Sequence, residues 1–127
     1  MTRLHLASGQ DYREGWVNVD WTAKHKVDRT ADVLRPEFWN SFFDSEVDEA
    51  MANHFIEHIP HTLSFTSQDG LIWFMEQLYR VMKDGALFHC AFPYFASQWA
   101  YDDPTHNRFV TAKTLIYFSK PECKVNQ

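Results

Sequence analysis

The sequence predicts an α/β fold built on a mostly parallel sheet. Two observations carry this. Short apolar runs, each closed by Gly, Asp or Asn, recur through the first half of the chain. An amphipathic helix then leads directly into another apolar run. Strand, helix and strand in that order make the crossover unit of a parallel sheet.

Leu4 to Ala7 reads as a first short strand, ending in the turn signal Ser8-Gly9-Gln10. Trp16 to Asp20 is a second strand, introduced by Gly15, and Lys26 to Ala31 a weak third, with Asp32 at its end. Arg35-Pro36 breaks the chain, and Phe38 to Phe43 forms a short aromatic helix or loop. Val47 to Ala52 is the fourth strand. Asn53 to Ile59 then makes one or two helical turns before Pro60. The helix is clearest where Leu71, Phe74, Met75, Leu78 and Met82 repeat at three- and four-residue spacing. Thr66 with Asp69 resembles its capping box, and Gly85 suits a left-handed C-terminal cap. Ala86 to Phe92 is the fifth strand, stopped by Pro93, and Thr111 to Phe118 a last helix.

The first connection is the exception. Only Ser8 to Gly15 joins strands one and two, whereas a parallel crossover needs about 10 residues or more. Either the crossover is reduced to about one turn or the strands form an antiparallel hairpin. The later parallel unit favours the reduced crossover.

Length and composition bound the function. The 127 residues suit a single domain, 1–127, with a real core. At 45% hydrophobic residues the chain is not a disordered one. Its 11 Phe and 5 Trp exceed what a small core hides easily, so part of them is expected in a pocket or interface. A formal charge of -5 with scattered Lys and Arg argues against nucleic-acid binding. Cys90 and Cys123 make no Cys-x-x-Cys pair, no signal-peptide core opens the chain, and no apolar run reaches the ~20 residues of a membrane span. The expectation is a cytoplasmic protein.

In open parallel sheets, ligands bind beyond the carboxyl ends of the strands. Gly9, Asp20, Asp32 and Asn53 all fall there. Glycine lets the backbone approach a ligand. An Asp carboxylate accepts two hydrogen bonds from a ribose diol. Asp32 suits an exocyclic amine, and Asn53 offers donor and acceptor. Gly, Asp and Asn are each common at turns; four on one edge point to a nucleoside-type ligand.

These segments resemble a family. Leu4-His5-Leu6-Ala7-Ser8-Gly9, Glu14-Gly15-Trp16-Val17-Asn18-Val19-Asp20, Ala31-Asp32-Val33, Asp44 to Ala50, Phe55-Ile56-Glu57-His58-Ile59 and Leu78 to Leu87 are similar, in order and spacing, to class I S-adenosylmethionine-dependent methyltransferases. The small type-11-like group, with bacterial and phage members, matches best, from the N-terminus to about Pro93 and on through Asp103-Pro104-Thr105-His106. The resemblance implies a Rossmann-like three-layer sandwich, here lacking the usual last two strands. It implies S-adenosyl-L-methionine as cofactor. Ala7, Ser8 and Gly9 would pass under its methionyl part, Asp20 would hold the ribose, and Trp21 would lie near the adenine. Asp32 would meet the adenine amine, with Val33 against the ring. Asn53 and His54 would border the sulfonium and the acceptor pocket. The family usually carries glycine where this chain has Ala7.

His54-Phe55-Ile56-Glu57-His58 also matches His-x-x-Glu-His, an inverted zinc-protease pattern. On a helix His54 and His58 would share a face, with Glu57 as base. Pro60 ends that helix within a turn and no third ligand follows on it, so no metal is expected. His5 and His89 lie in strands and His61 in a loop, where packing or surface roles suffice. His106 stands in the polar loop Asp102 to Arg108, where an acceptor can sit.

The expected activity is methyl transfer to an acceptor that no motif identifies. The protein then mainly aligns acceptor and methyl and excludes water. A base is needed only if the acceptor loses a proton, and His54, His58 and His106 are the candidates. The rival readings are a non-catalytic cofactor-binding or interaction module, and an enzyme that degrades the cofactor. The fifth strand, as a bare sheet edge, predicts a homodimer or coverage by Tyr94 to Phe118.

Overall fold

The computed structural model describes residues 1–118. Chain order is β1 (Arg3–Leu6), β2 (Val17–Asp20), β3 (Arg29–Thr30), α1 (Pro36–Asn40), β4 (Val47–Asn53), a 3-10 turn (Ile56–His58), β5 (Thr62–Leu63), β6 (Thr66–Asp69), α2 (Gly70–Val81), β7 (Met82–Ala91), α3 (Trp99–Asp102) and α4 (Ala112–Ile116). Five strands form one sheet in the order β3-β2-β1-β4-β7, and every pairing in it is parallel. This is the Rossmann-like α/β arrangement expected. β5 and β6 make a separate antiparallel hairpin, which the sequence did not signal.

One face of the sheet carries the core. Leu4, Leu6, Val19, Ala50 and Ala52 are fully buried under Trp39 of α1 and Phe74 and Leu78 of α2. The Trp39 and Phe74 rings meet edge to face, 5.7 Å between centroids. Trp39 also donates its Nε1–H to the Val33 carbonyl at 2.8 Å, so the indole is buried with its polar atom satisfied. Of the helical face read from the sequence, Leu71, Phe74 and Leu78 are buried, joined by Trp73 and Val81, while Met75 is half-buried and Met82 begins β7.

The first crossover is parallel and contains no helix. Residues 7–16 cross as coil, held by one side chain. Asn18, fully buried in β2, accepts from His5 Nδ1 (2.8 Å) and from the Arg13 N–H (3.0 Å). Its amide donates to the carbonyls of Arg13 and Trp16 and to Asp28 Oδ2. The coil thereby covers His5 and Asn18 on the face opposite α2. A tight polar network replaces a helical turn, and the short connection suffices.

The boundaries of α2 differ from the cap signals. Thr66 lies in β6, and Asp69 itself is the N-cap, accepting from the Leu71 N–H at 2.9 Å. Gly70 opens the helix against the Pro60 carbonyl, which stands where a Cβ would project. At the other end the helix passes directly into β7, with Met82 already extended. Gly85 (φ +79°) sits within a register shift of that strand, between the Val47–Met82 and Glu49–Leu87 pairs. No helix among the described residues is long and apolar enough to cross a membrane. Cys90 is a free thiol, and Cys123 lies outside the described residues.

Segment 94–118 returns past the carboxyl end of β4. The Asn107 N–H donates to the Glu57 carbonyl, and Arg108 donates twice to the Ile59 carbonyl. Arg108 Nη1 also meets Asp69 Oδ1 at 2.9 Å, and His61 Nδ1 meets Asp69 Oδ2 at 2.7 Å. Burial opposes ionisation of Asp69, but the Arg108, His61 and Leu71 bonds outweigh it and hold its pKa at about 2. A carboxylate with a depressed folded pKa stabilises the fold above its unfolded value, and that stability fades as pH falls through the folded value. Asp69→Asn, which keeps an N-cap acceptor but removes the charge facing Arg108 and His61, should therefore cost about 2 kcal/mol at neutral pH. Urea titrations of both proteins should show the gap closing from about pH 4 downward. A gap of constant size down to pH 2 contradicts this account.

Candidate functional site

The sheet order reverses between β1 and β4: β2 and β3 lie to one side, β7 to the other. In doubly wound sheets this switch point leaves a crevice at the carboxyl edge. The chain puts Ala7, Ser8 and Gly9 there after β1, and Asn53 at the end of β4 with His54 following it. The pairing of His5 with Met51 sets Asn53 level with Ala7.

The β1 loop is left-handed twice, with φ +53° at Ala7 and +52° at Gly9. Ala7 thus takes the backbone conformation that glycine favours, at a cost of about 1 kcal/mol. The Ser8 N–H donates to the Val19 carbonyl, while its hydroxyl is buried with no protein partner among the described residues. The Gly9 N–H points at Asp20 Oδ1 from 3.4 Å, and Thr22 Oγ1 stands 3.5 Å from Oδ2. Both contacts are long, which leaves the Asp20 carboxylate with strong acceptor capacity. Trp21, 75% exposed, follows at once.

Asp32 is tied into the same edge, since the Ala31 N–H donates to the Asp20 carbonyl. One Asp32 oxygen turns back to the Leu34 N–H at 2.9 Å. Val33 is only 5% exposed and belongs to the core, so like Ser8, also 5% exposed, it offers little surface to a ligand.

The three histidines converge elsewhere on the same side. His54, His58 and His106 line one open cleft of about 520 Å³, with Glu57, Tyr94 and Trp99 among its other walls. His54 does not share a helix face with His58. It precedes the 3-10 turn, at φ +54°, and its N–H donates to the Ala91 carbonyl. A left-handed histidine is strained, and here it turns the chain off β4 toward the cleft. The His58 and His106 rings meet edge to face, 4.6 Å between centroids. His54 thus joins the crevice to the cleft.

The crystal structure of a SAM dependent methyltransferase from Archaeoglobus fulgidus is similar to this chain, with a TM-score of 0.70 at 24% identity. The match covers 92% of this chain and 57% of that one. The fold is that of a class I S-adenosylmethionine-dependent methyltransferase. No family model and no curated protein matches the chain. This chain spans little more than half the length of the methyltransferase it matches.

Within this methyltransferase fold, Glu57 is the polar group that sequence reasoning undervalued. It is 2% exposed, and neither carboxylate oxygen has a hydrogen-bond partner among the described residues. Its sequence signals are the His-x-x-Glu-His spacing and its place in the Phe55–Ile59 segment. Nearby, burial and then the Glu57 charge push the Cys90 thiol up to about 11, so it stays protonated and is a poor nucleophile. His5 and His89 are structural: the first bonds Asn18, and the second pairs with Glu49 at 2.6 Å. His61 anchors Asp69.

Proposed function

We propose that this chain binds S-adenosyl-L-methionine in the β1/β4 crevice and transfers its methyl group to an acceptor held in the adjoining cleft. The observation that carries the reading is the Asp20 carboxylate, weakly satisfied and facing the left-handed Ala7–Gly9 loop at the sheet's switch point. That arrangement fits a nucleoside. Asp20 takes the ribose hydroxyls, Trp21 offers a ring face beside the adenine, and Asp32 keeps an oxygen for the amine. The unpartnered Ser8 hydroxyl and the loop's backbone suit the methionyl part. Val33 backs this wall from the core. Asn53 marks the end of β4, where the sulfonium would lie.

The cofactor brings an activated methyl leaving from sulfur. The chain's own residues align the acceptor and exclude water. His54, at the junction of crevice and cleft, with His58 and His106 behind it, can take a proton from an acceptor that must lose one.

Calorimetry with S-adenosylmethionine tests the reading, followed by a search for S-adenosylhomocysteine with and without added acceptors. Micromolar binding is expected, with turnover only when an acceptor is present. No binding at millimolar cofactor removes the reading, and product formed without any acceptor replaces it with cofactor breakdown.

A further inference from the structure

We propose that Glu57, His58 and His106 form a binding site for a single zinc-class divalent metal ion at the floor of the cleft. One ligand atom from each residue lies within 4.8 Å of the other two. The set is two imidazoles and one carboxylate, which suits zinc and its first-row neighbours.

Four features show a site built to hold a cation. The Glu57 carboxylate is buried with neither oxygen hydrogen-bonded among the described residues, a costly arrangement for an anion unless a positive charge joins it. The imidazole tautomers are set from behind. His106 Nδ1 lies 3.0 Å from the Ala100 carbonyl, which can only accept, so Nδ1 carries a proton and the neutral ring offers its lone pair at Nε2, 3.6 Å from Asp103 Oδ2. His58 Nδ1 lies 3.2 Å from the Thr105 carbonyl and 3.0 Å from Thr105 Oγ1, whose own proton goes to Asp103 Oδ1. His58 Nε2 is thereby left facing Glu57 Oε1, 3.6 Å away. Outer partners of this kind orient metal-binding histidines.

The fourth feature is rigidity. The ligands come from two distant segments, and main-chain groups bind these together. The Asn107 N–H donates to the Glu57 carbonyl at 2.8 Å, and the Asn107 amide donates to the His58 carbonyl at 2.6 Å. Three protein ligands leave positions open toward the cleft, as in catalytic rather than structural sites. With the ion bound, the Nε2 lone pairs of His58 and His106 are engaged, and His54 becomes the free base of the cleft. The zinc-protease pattern is thus redrawn: Glu57 is a ligand instead of the base, His54 drops out, and His106 replaces it.

The site does not depend on methyl transfer, and its test needs no cofactor. The full chain is stripped with a chelator, dialysed and titrated with cobalt chloride while visible d–d absorption is followed. Zinc chloride is then added in competition. The expected result is saturation at one cobalt per chain with low-micromolar or tighter affinity, reversed by zinc. His106→Ala and Glu57→Gln should each weaken binding by at least ~10-fold. Glu57→Gln keeps the side-chain shape and removes the buried charge, so it reports even if His106→Ala disturbs the loop. His89→Ala, which breaks the surface pair with Glu49, should bind as the parent does. Millimolar-only binding, affinity unmoved by the two ligand variants, or loss of binding in His89→Ala overturns the proposal.

Discussion

Asp20→Ala should weaken S-adenosylmethionine binding by about 100-fold, close to 3 kcal/mol, with little change in thermal stability. The magnitude follows from two charge-assisted bonds to the ribose diol, each worth about 1.5 kcal/mol or more. The stability side follows from the structure. Asp20 makes only long contacts, 3.4 Å from the Gly9 N–H and 3.5 Å from Thr22 Oγ1, so the apo fold loses little when it goes. Asp20→Asn should recover part of the affinity, since its amide keeps one acceptor. Calorimetry on the three proteins decides the matter. An Asp20→Ala affinity within about threefold of the parent removes Asp20 from the ribose and leaves the crevice without its main anchor.

Asn18→Ala should be the most destabilising of the changes considered. It removes the side chain that holds residues 7–16 in place and strands the buried His5 Nδ1 and the Arg13 N–H. It also frees the carbonyls of Arg13 and Trp16. A loss of about 3 kcal/mol is expected, equal to a Tm drop of about 10 °C for a domain of this size. The same coil carries Gly9 toward Asp20, so cofactor affinity should fall along with stability. Urea unfolding measures the first effect and calorimetry the second. A stability loss under about 1 kcal/mol would show that the coil is held by something other than Asn18.

The elements written most plainly in the sequence are those whose stability is local. The repeat of Leu71, Phe74 and Leu78 announces α2 because a helix buries one face at fixed spacing. Leu4 and Leu6 announce β1 because strand side chains alternate. The cap signals misled at Gly85 for a physical reason. A glycine tolerates positive φ in a strand irregularity as readily as after a helix, and here the register shift opposite Asp48 uses it. The β5–β6 hairpin was silent because two-residue strands carry no periodicity.

The candidate site divides in the same way. Gly9, Asp20, Asp32 and Asn53 were legible because each directly follows or ends a strand, and parallel strands put all such positions on one edge. Ala7 was legible only as a departure from glycine. Its left-handed backbone shows that the β1 loop tolerates alanine there. The cleft was legible only as separate histidines. No spacing rule relates His58 to His106, since what joins them is a set of hydrogen bonds from the Asn107 N–H and the Asn107 and Arg108 side chains to the carbonyls of residues 57–59.

By itself, then, the sequence determined the parallel α/β class, much of the core and the candidate edge where strands stop, because all three follow from short-range periodicity and from strand ends. Only the tertiary structure decided that the first crossover needs no helix, that Val33 belongs to the core, and that Glu57 is buried without a hydrogen bond among the described residues beside His58 and His106. Those facts depend on desolvation and on hydrogen bonds between segments far apart in the chain, which no local pattern encodes. The Leu4–Gly9 strand and loop form one rim of a crevice whose other rim, at His54, opens onto the cleft with the buried carboxylate.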